Sequence, residues 1–343
     1  MMGVSCRRDE NTVPGKGTYV RFSIRLNNDW PATSYRSLAS IAEEVGFDQF
    51  WVSHDLFYRN SPVILADVIN ATQRIEVGTC IVNPYTVHPS EIAMMAATLD
   101  ELSGGRFNLG IGAGAGEFLK WINLPQERPL QTTRDAIRQV NAILSGTAVD
   151  EWQPEAYLRF EPKRRVPVYL AAFSPNMLRL IGEVADGALP LLFPPEHYDT
   201  VYPLVAEGAA KSGRSMDEID FAACVWCSVS HEREAAENVL KDKIAYYGHA
   251  LSPLIWDRLG VGQEDFRPIE RALMTERDPA KARAMVDERM LRIGIAGDPE
   301  EVIERLEGLV ERGVKHLSFG PPLGPNPKEA IRTLGREVLP KFA

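Results

Sequence analysis

The chain is poor in most of the features that announce a function directly. Its four cysteines, at 6, 80, 224 and 227, are too few and too unevenly spaced for a disulfide framework in 343 residues. The six histidines, at 54, 88, 197, 231, 249 and 316, form no H-E-x-x-H or H-x-H pair, so a metal centre has little support. A G-x-S-x-G nucleophile elbow and a G-x-x-x-x-G-K-[ST] phosphate loop are both missing, which lowers the hydrolase and nucleoside-triphosphatase readings. No run approaches the roughly 18 apolar residues of a membrane span. Basic excess is missing as well: 38 Lys+Arg against 47 Asp+Glu leave a net charge of −9, and that field opposes broad attraction to nucleic acid or anionic lipid. Residues 1–17 lack the apolar stretch of a secretory signal and read as a loose tail. Arg7-Arg8 is followed by Asp9-Glu10-Asn11 where a twin-arginine signal would be apolar. A reducing cytoplasm is the simplest home.

What is present is an ordinary globular composition, 45% hydrophobic and 25% charged, carrying short β-branched or aromatic runs that alternate with helical periodicity. Eight strands are predicted, over 19–26, 47–52, 75–82, 106–112, 166–171, 187–192, 219–229 and 314–319. Helices are predicted between and after them, at about 34–45, 61–73, 89–103, 130–145, 175–185, 196–212, 231–247 and 327–339. Repeated βα units imply a parallel sheet, and eight of them is the number that closes a (β/α)8 TIM barrel, here a single α/β domain over 18–343. Boundary chemistry agrees. Asp298-Pro299-Glu300-Glu301 sets a cap, a proline and first-turn acids, and the helix then ends at Arg312-Gly313. Ser174-Pro175 reads as a second start. The segment 250–296 breaks the rhythm: it is helix-forming, holds no good strand, and is expected to be a helical insertion before the last βα unit. Such an insertion serves equally as a lid over the site or as a packing element.

Three motifs carry chemistry. The run Gly110-Ile111-Gly112-Ala113-Gly114-Ala115-Gly116 nearly fits a dinucleotide fingerprint, but no acid-tipped strand follows it. Glycines that let backbone approach a flat ring at the top of a barrel strand are the better reading. Cys224-Val225-Trp226-Cys227 has metal and redox spacing, yet within a strand residues i and i+3 face opposite ways, so the sulfurs diverge. His54-Asp55 ends the second strand, the right place for proton handling in a barrel. Arg59, downstream on the same loop, is a candidate for an anionic group, and Ser174 with the amides behind it is an anion-friendly helix start.

Taken in order, Glu43-Glu44-Val45-Gly46-Phe47-Asp48, Val77-Gly78-Thr79-Cys80-Ile81-Val82-Asn83-Pro84-Tyr85, Glu101-Leu102-Ser103-Gly104-Gly105-Arg106, Leu109–Gly114, Val168–Ala172, Ala185-Asp186-Gly187 and Gly320–Pro325 resemble the bacterial-luciferase-like superfamily. The resemblance is to its coenzyme F420-dependent branch, which includes methylenetetrahydromethanopterin reductase. It implies a deazaflavin across the C-terminal mouth of the barrel, backed by a non-prolyl cis peptide at Cys80-Ile81. Ser53, Cys80, Ile81, Asn83, Ala113, Gly114, Ala115, Gly116, Ala172, Phe173, Ser174, Leu191 and Leu192 are the implied cofactor contacts. Relatives commonly carry Asp-His where this chain has His54-Asp55, so either group is the candidate for the proton. Arg59, Glu117 and Trp121 are the candidate substrate contacts. The resulting expectation is a hydride-transferring F420 oxidoreductase acting on a small organic molecule as a homodimer. F420 has carbon where flavin has its reactive nitrogen, which favours hydride chemistry over oxygen activation; an FMN-dependent, oxygen-using monooxygenase is the alternative, because one barrel can host both.

Overall fold

Short polar residues followed by proline open many of the helices, which is why βα boundaries are sharp in this chain. Asp298 accepts hydrogen bonds from the Glu300 and Glu301 amides at 3.0 Å while Glu301 reaches back to the Asp298 amide, a complete capping box. Asn60 and Asn326 also cap their helices by accepting from first-turn amides, without the reciprocal bond. Ser174 differs from expectation: it stands at the cap position, but its hydroxyl makes no cap hydrogen bond.

The computed structural model describes residues 20–342. The predicted tail over 1–17, with Arg7, Arg8 and Cys6, lies outside them. The first half of the chain runs β1 (Arg21–Leu26), α1 (Ala32–Glu44), β2 (Gln49–Val52), α2 (Ser61–Ala71), β3 (Glu76–Thr79), α3 (Pro89–Ser103), β4 (Phe107–Ile111), α4 (Gly116–Trp121), α5 (Pro129–Leu144), β5 (Val168–Leu170) and α6 (Pro175–Val184). It continues through β6 (Gly187–Ala188), α7 (Tyr198–Lys211), β7 (Asp220–Phe221), β8 (Ala223–Val229) and α8 (Arg233–Tyr247). Four short helices follow, α9 (Pro253–Leu259), α10 (Gln263–Glu270), α11 (Pro279–Ala284) and α12 (Glu288–Leu291). The chain closes with β9 (Ile295–Gly297), α13 (Pro299–Glu311), β10 (His316–Leu323) and α14 (Pro327–Thr333).

The ten strands form one curled, wholly parallel sheet in the order β7-β6-β5-β4-β3-β2-β1-β10-β8-β9. Two features depart from the eight predicted strands. The run 219–229 is divided at Ala222, because Asp220 and Phe221 pair with β6 whereas Ala223 onward pairs with β10. The segment 250–296 does contain the start of a strand: Ile295–Gly297 pairs with β8. The remaining part of that segment, α9 to α12, packs Ile255, Phe266 and Met290 against Leu240, Ile244 and Trp226 in a small core of its own.

The main core lies between the sheet and its helices, with Phe22, Ile24, Phe50, Val77 and Leu109 from the strands meeting Leu38, Leu65, Ile92 and Ile137. The concave face is polar at its floor. Asp220 accepts from Arg21 at 2.6 Å and from the Tyr169 hydroxyl at 2.7 Å, and faces His316 Nδ1 at 2.8 Å. Arg21 also bonds Glu76, whose carboxylate accepts from Gln49 and Asn108 at 2.8 and 2.7 Å. Side chains from β1, β2, β3, β4, β5, β7 and β10 are thereby tied together inside the curl. Above this layer Trp51, fully buried, stacks edge-on against Tyr169 at 4.9 Å. Gly78 is required beside it: a Cβ there would stand 2.3 Å from the Trp51 ring. Cys224 faces this interior while Cys227 faces the outer core, the divergence that strand geometry demands.

Candidate active site

The floor leaves the opposite end of the curl, where the strands finish, as the place where loops converge. β2 ends there in Ser53-His54-Asp55, and Asn28, buried behind the end of β1, organises that loop. Its amide nitrogen donates to the carbonyls of Asp55 (3.0 Å) and Arg59 (2.7 Å). Its Oδ1 accepts from the Ser53 hydroxyl at 2.9 Å, and that hydroxyl also lies 3.2 Å from Asp55 Oδ2. Burial pushes the Asp55 carboxyl up from its ordinary range, a shift partly opposed by Ser53 and by the nearby Lys243 ammonium. His54 turns the other way. Its Nδ1 accepts from the Ser61 amide at 3.3 Å and lies 3.0 Å from the Ser61 hydroxyl at the start of α2. The neutral ring therefore carries its proton on Nε2, and burial holds it neutral by pushing its pKa down.

The ends of β3 and β4 meet the same mouth. The Cys80-Ile81 peptide is cis, and Cys80 and Ile81 pack on the inner cluster of Trp51, Tyr169 and Cys224. Burial lifts the Cys80 thiol to about 12, which leaves it protonated and a poor nucleophile. Gly110 is pinned beneath this bond: its amide donates to Thr79 Oγ1 at 3.1 Å, and that hydroxyl donates back to the Gly110 carbonyl at 2.9 Å. Gly114 has φ +76, and a Cβ on it would stand 3.1 Å from Asn83, so glycine serves both backbone and space there. Gln126 donates to the carbonyls of Ala113 (2.8 Å) and Gly114 (3.1 Å), fixing the loop's shape.

Of the other sequence-predicted residues, Ala115, Glu117, Phe173 and Ser174 are exposed around the rim. Trp121 is 57% exposed and faces Phe57 at 6.1 Å and Phe118 at 4.9 Å, so α4 and the β2 loop share an aromatic edge. Leu191 packs against the inner cluster, whereas the Leu192 side chain is buried in the outer core and only its backbone faces inward. Ala172 is likewise buried in the outer core. Arg59 bends back to donate to the Asp29 carbonyl.

Sequence reading missed the other half of the mouth. A cavity of about 630 Å³ is walled there by Asp29, Trp30, Tyr58, Lys243, Tyr246, Tyr247 and Pro321-Pro322. Nothing in the sequence marks Lys243, which sits in an ordinary charged helical run. A second cavity, of about 760 Å³, lies far from these loops, between the end of α5 and residues 157–165, and contains none of the site residues. Among the described residues, no three His, Cys, Asp or Glu side chains converge to hold a metal ion.

Residues 19–316 match the luciferase-like monooxygenase family. The chain belongs to that family. It is 32% identical to the 5,10-methylenetetrahydromethanopterin reductase of Methanopyrus kandleri, over 94% of this chain and 99% of that protein. With the reductase of the same name from Archaeoglobus fulgidus it shares 30%, over 94% and 100% of the two chains. The solved coenzyme F420-dependent tetrahydromethanopterin reductase of Methanopyrus kandleri superposes with a TM-score of 0.85 at 30% identity, covering 95% of this chain and all of that one. An FMN complex of the oxygenating constituent of 3,6-diketocamphane monooxygenase from Pseudomonas putida superposes at 0.70 with 17% identity, a likeness of fold alone. The curled sheet is thus that of luciferase-like TIM-barrel structures. No helix among the described residues is long and apolar enough to cross a membrane.

Proposed function

We propose that this protein is a coenzyme F420-dependent oxidoreductase acting on a small organic substrate. The observation that carries the reading is convergence: ring-side candidates from four strand ends, Cys80-Ile81, Ala113–Gly116, Phe173-Ser174 and Leu191, lie around one mouth with the Ser53–Asp55 loop at its edge. The kinship of the chain supports F420 over FMN, since the solved reductase at 30% identity is coenzyme F420-dependent and the likeness to an FMN complex is one of fold. The sheet is read as an eight-stranded barrel in which β7 and β8 are two halves of one strand and β9 is an added strand beside β8, with 250–296 inserted beside the mouth. A cytoplasmic homodimer goes with this reading.

The residues fit the group. Gly114, half-buried, offers backbone at the mouth, and the uncapped Ser174 hydroxyl at the ten-residue helix α6 suits a phosphate, which gains from the amides and dipole behind it. When bound, the deazaflavin supplies hydride chemistry. The protein's own work is to orient two molecules, exclude water and move a proton. Asp55 is the better candidate for the proton, because burial raises its pKa and the charges of Lys243 and Asp29 act on it, whereas His54 Nδ1 is committed to Ser61. His54 is then the group that fixes the loop. The test is a fluorescence titration with F420. Micromolar binding that weakens about tenfold in Ser174→Ala is expected, the loss of one charge-assisted hydrogen bond. Absence of F420 binding to the unmodified protein overturns the reading.

A further inference from the structure

Two cations near the cavity beside Asp55 lack a carboxylate partner. Arg25, at the end of β1 and only 7% exposed, bonds neutral acceptors: Ser318 Oγ at 3.1 Å and the Val225 carbonyl at 2.9 Å. Lys243, on α8, lines the cavity and forms no hydrogen bond or ion pair among the described residues. Its ammonium rests on the faces of Trp226 and Tyr247, 4.8 and 4.9 Å from the ring centroids. The ion pairs among the described residues lie elsewhere, on the surface and in the floor network. Charge taken out of water is ordinarily paired, and here the Arg25 and Lys243 charges act on one another while the nearby acids, Asp29 and Asp55, make no ion pair with Lys243. The walls between them are flat: Tyr58, Tyr246, Tyr247, Trp30 and the Pro321-Pro322 edge.

We propose that Lys243, reinforced by Arg25, is the anion-recognition group of the substrate pocket, and that the substrate carries a carboxylate on a flat, unsaturated body. This rests on the oxidoreductase reading and names the substrate class of the same site. The carboxylate takes the ammonium from its two aromatic faces into a charge-assisted hydrogen bond, while the body lies between the tyrosines, its far end toward Asp55 and the ring-side loops. The flat walls select against bulky, branched molecules. Burial has already pushed the Lys243 pKa down to about 8, which an arriving anion reverses.

The test is calorimetric titration of the full-length protein, with and without F420, using benzoate as the probe and benzamide as its uncharged isostere. Benzoate is expected to bind at least about tenfold more tightly than benzamide. Lys243→Met brings the ratio close to one, and Lys243→Arg keeps most of it. Equal binding of the two probes, or a ratio unchanged in Lys243→Met, overturns the proposal. F420 binding is followed in the same samples. F420 binding without discrimination removes this inference alone, and discrimination without F420 binding supports it while removing the cofactor reading.

Discussion

Replacing Gly110 by alanine tests whether strand spacing under Cys80-Ile81 seats the site. A Cβ on Gly110 would lie 1.9 Å from the Thr79 carbonyl oxygen and 3.4 Å from Ile81 Cγ2. The obstacle is backbone, held by β2 on one side and β4 on the other, so no side chain can swing away. Relief requires β3 and β4 to part by more than about 1 Å, a gap that close packing does not absorb, and it breaks the reciprocal Thr79–Gly110 hydrogen bonds of 2.9 and 3.1 Å. Overpacking costs about 1–3 kcal/mol and two buried hydrogen bonds about 1 kcal/mol each, so the expected loss is about 3–5 kcal/mol. Gly308 is the control. It lies inside α13 with nothing within 4 Å of its missing Cβ, and Gly308→Ala is expected to stabilise by about 0.5–1 kcal/mol. Urea titrations followed by circular dichroism give both values, and an F420 titration below the transition shows weakened binding in Gly110→Ala alone. Were Gly110→Ala within about 1 kcal/mol of the parent with unchanged F420 affinity, strand spacing would not be what seats this part of the site.

Three further outcomes are expected. Asp55→Asn lowers turnover by about 10²–10⁴-fold with F420 affinity unchanged, measured by single-turnover oxidation of reduced F420 once a substrate is in hand; an unimpaired variant removes Asp55 from proton handling. Because the Lys243 pKa is pushed down to about 8 by burial, benzoate binding holds below that pH and falls as pH rises through it. Arg25, Asp29, Asp55, Tyr58, Tyr246 and Tyr247 surround that ammonium, and burial lifts the Tyr247 hydroxyl to about 12; binding flat between pH 7.5 and 9 contradicts the assignment. Asp220→Asn destabilises by about 3 kcal/mol, the cost of breaking a buried ion pair. His316 and Arg21 hold the Asp220 pKa well below the usual range, so its contribution is present above about pH 4 and fades as pH falls through the depressed value; a variant equally acid-sensitive to the parent speaks against this.

Much of the sheet and its helices was legible because several βα boundaries are written in local chemistry, as Asp298-Pro299 and Asn60 illustrate. What was not legible depends on partners distant in sequence. Nothing in 219–229 marks a break at Ala222, since Phe221-Ala222-Ala223 runs apolar across it. Ile295-Ala296-Gly297 is short and two of its three residues are poor strand formers, so β9 exists only because β8 offers an edge. α4 was hidden because it opens inside a glycine-rich run that reads as a turn. The ring-side half of the mouth carries recognisable strings, whereas Asn28, Arg25 and Lys243 become site residues only through the curl, which turns an ordinary charged helix face toward the cavity.

The central claim is that the mouth is built for a deazaflavin, and matched titrations of the purified protein with F420 and with FMN test it most directly. Micromolar or tighter quenching with F420, and binding at least about a hundredfold weaker with FMN, is the result this account predicts. Equal or tighter binding of FMN would contradict it and direct the search to oxygen-dependent chemistry on the same fold.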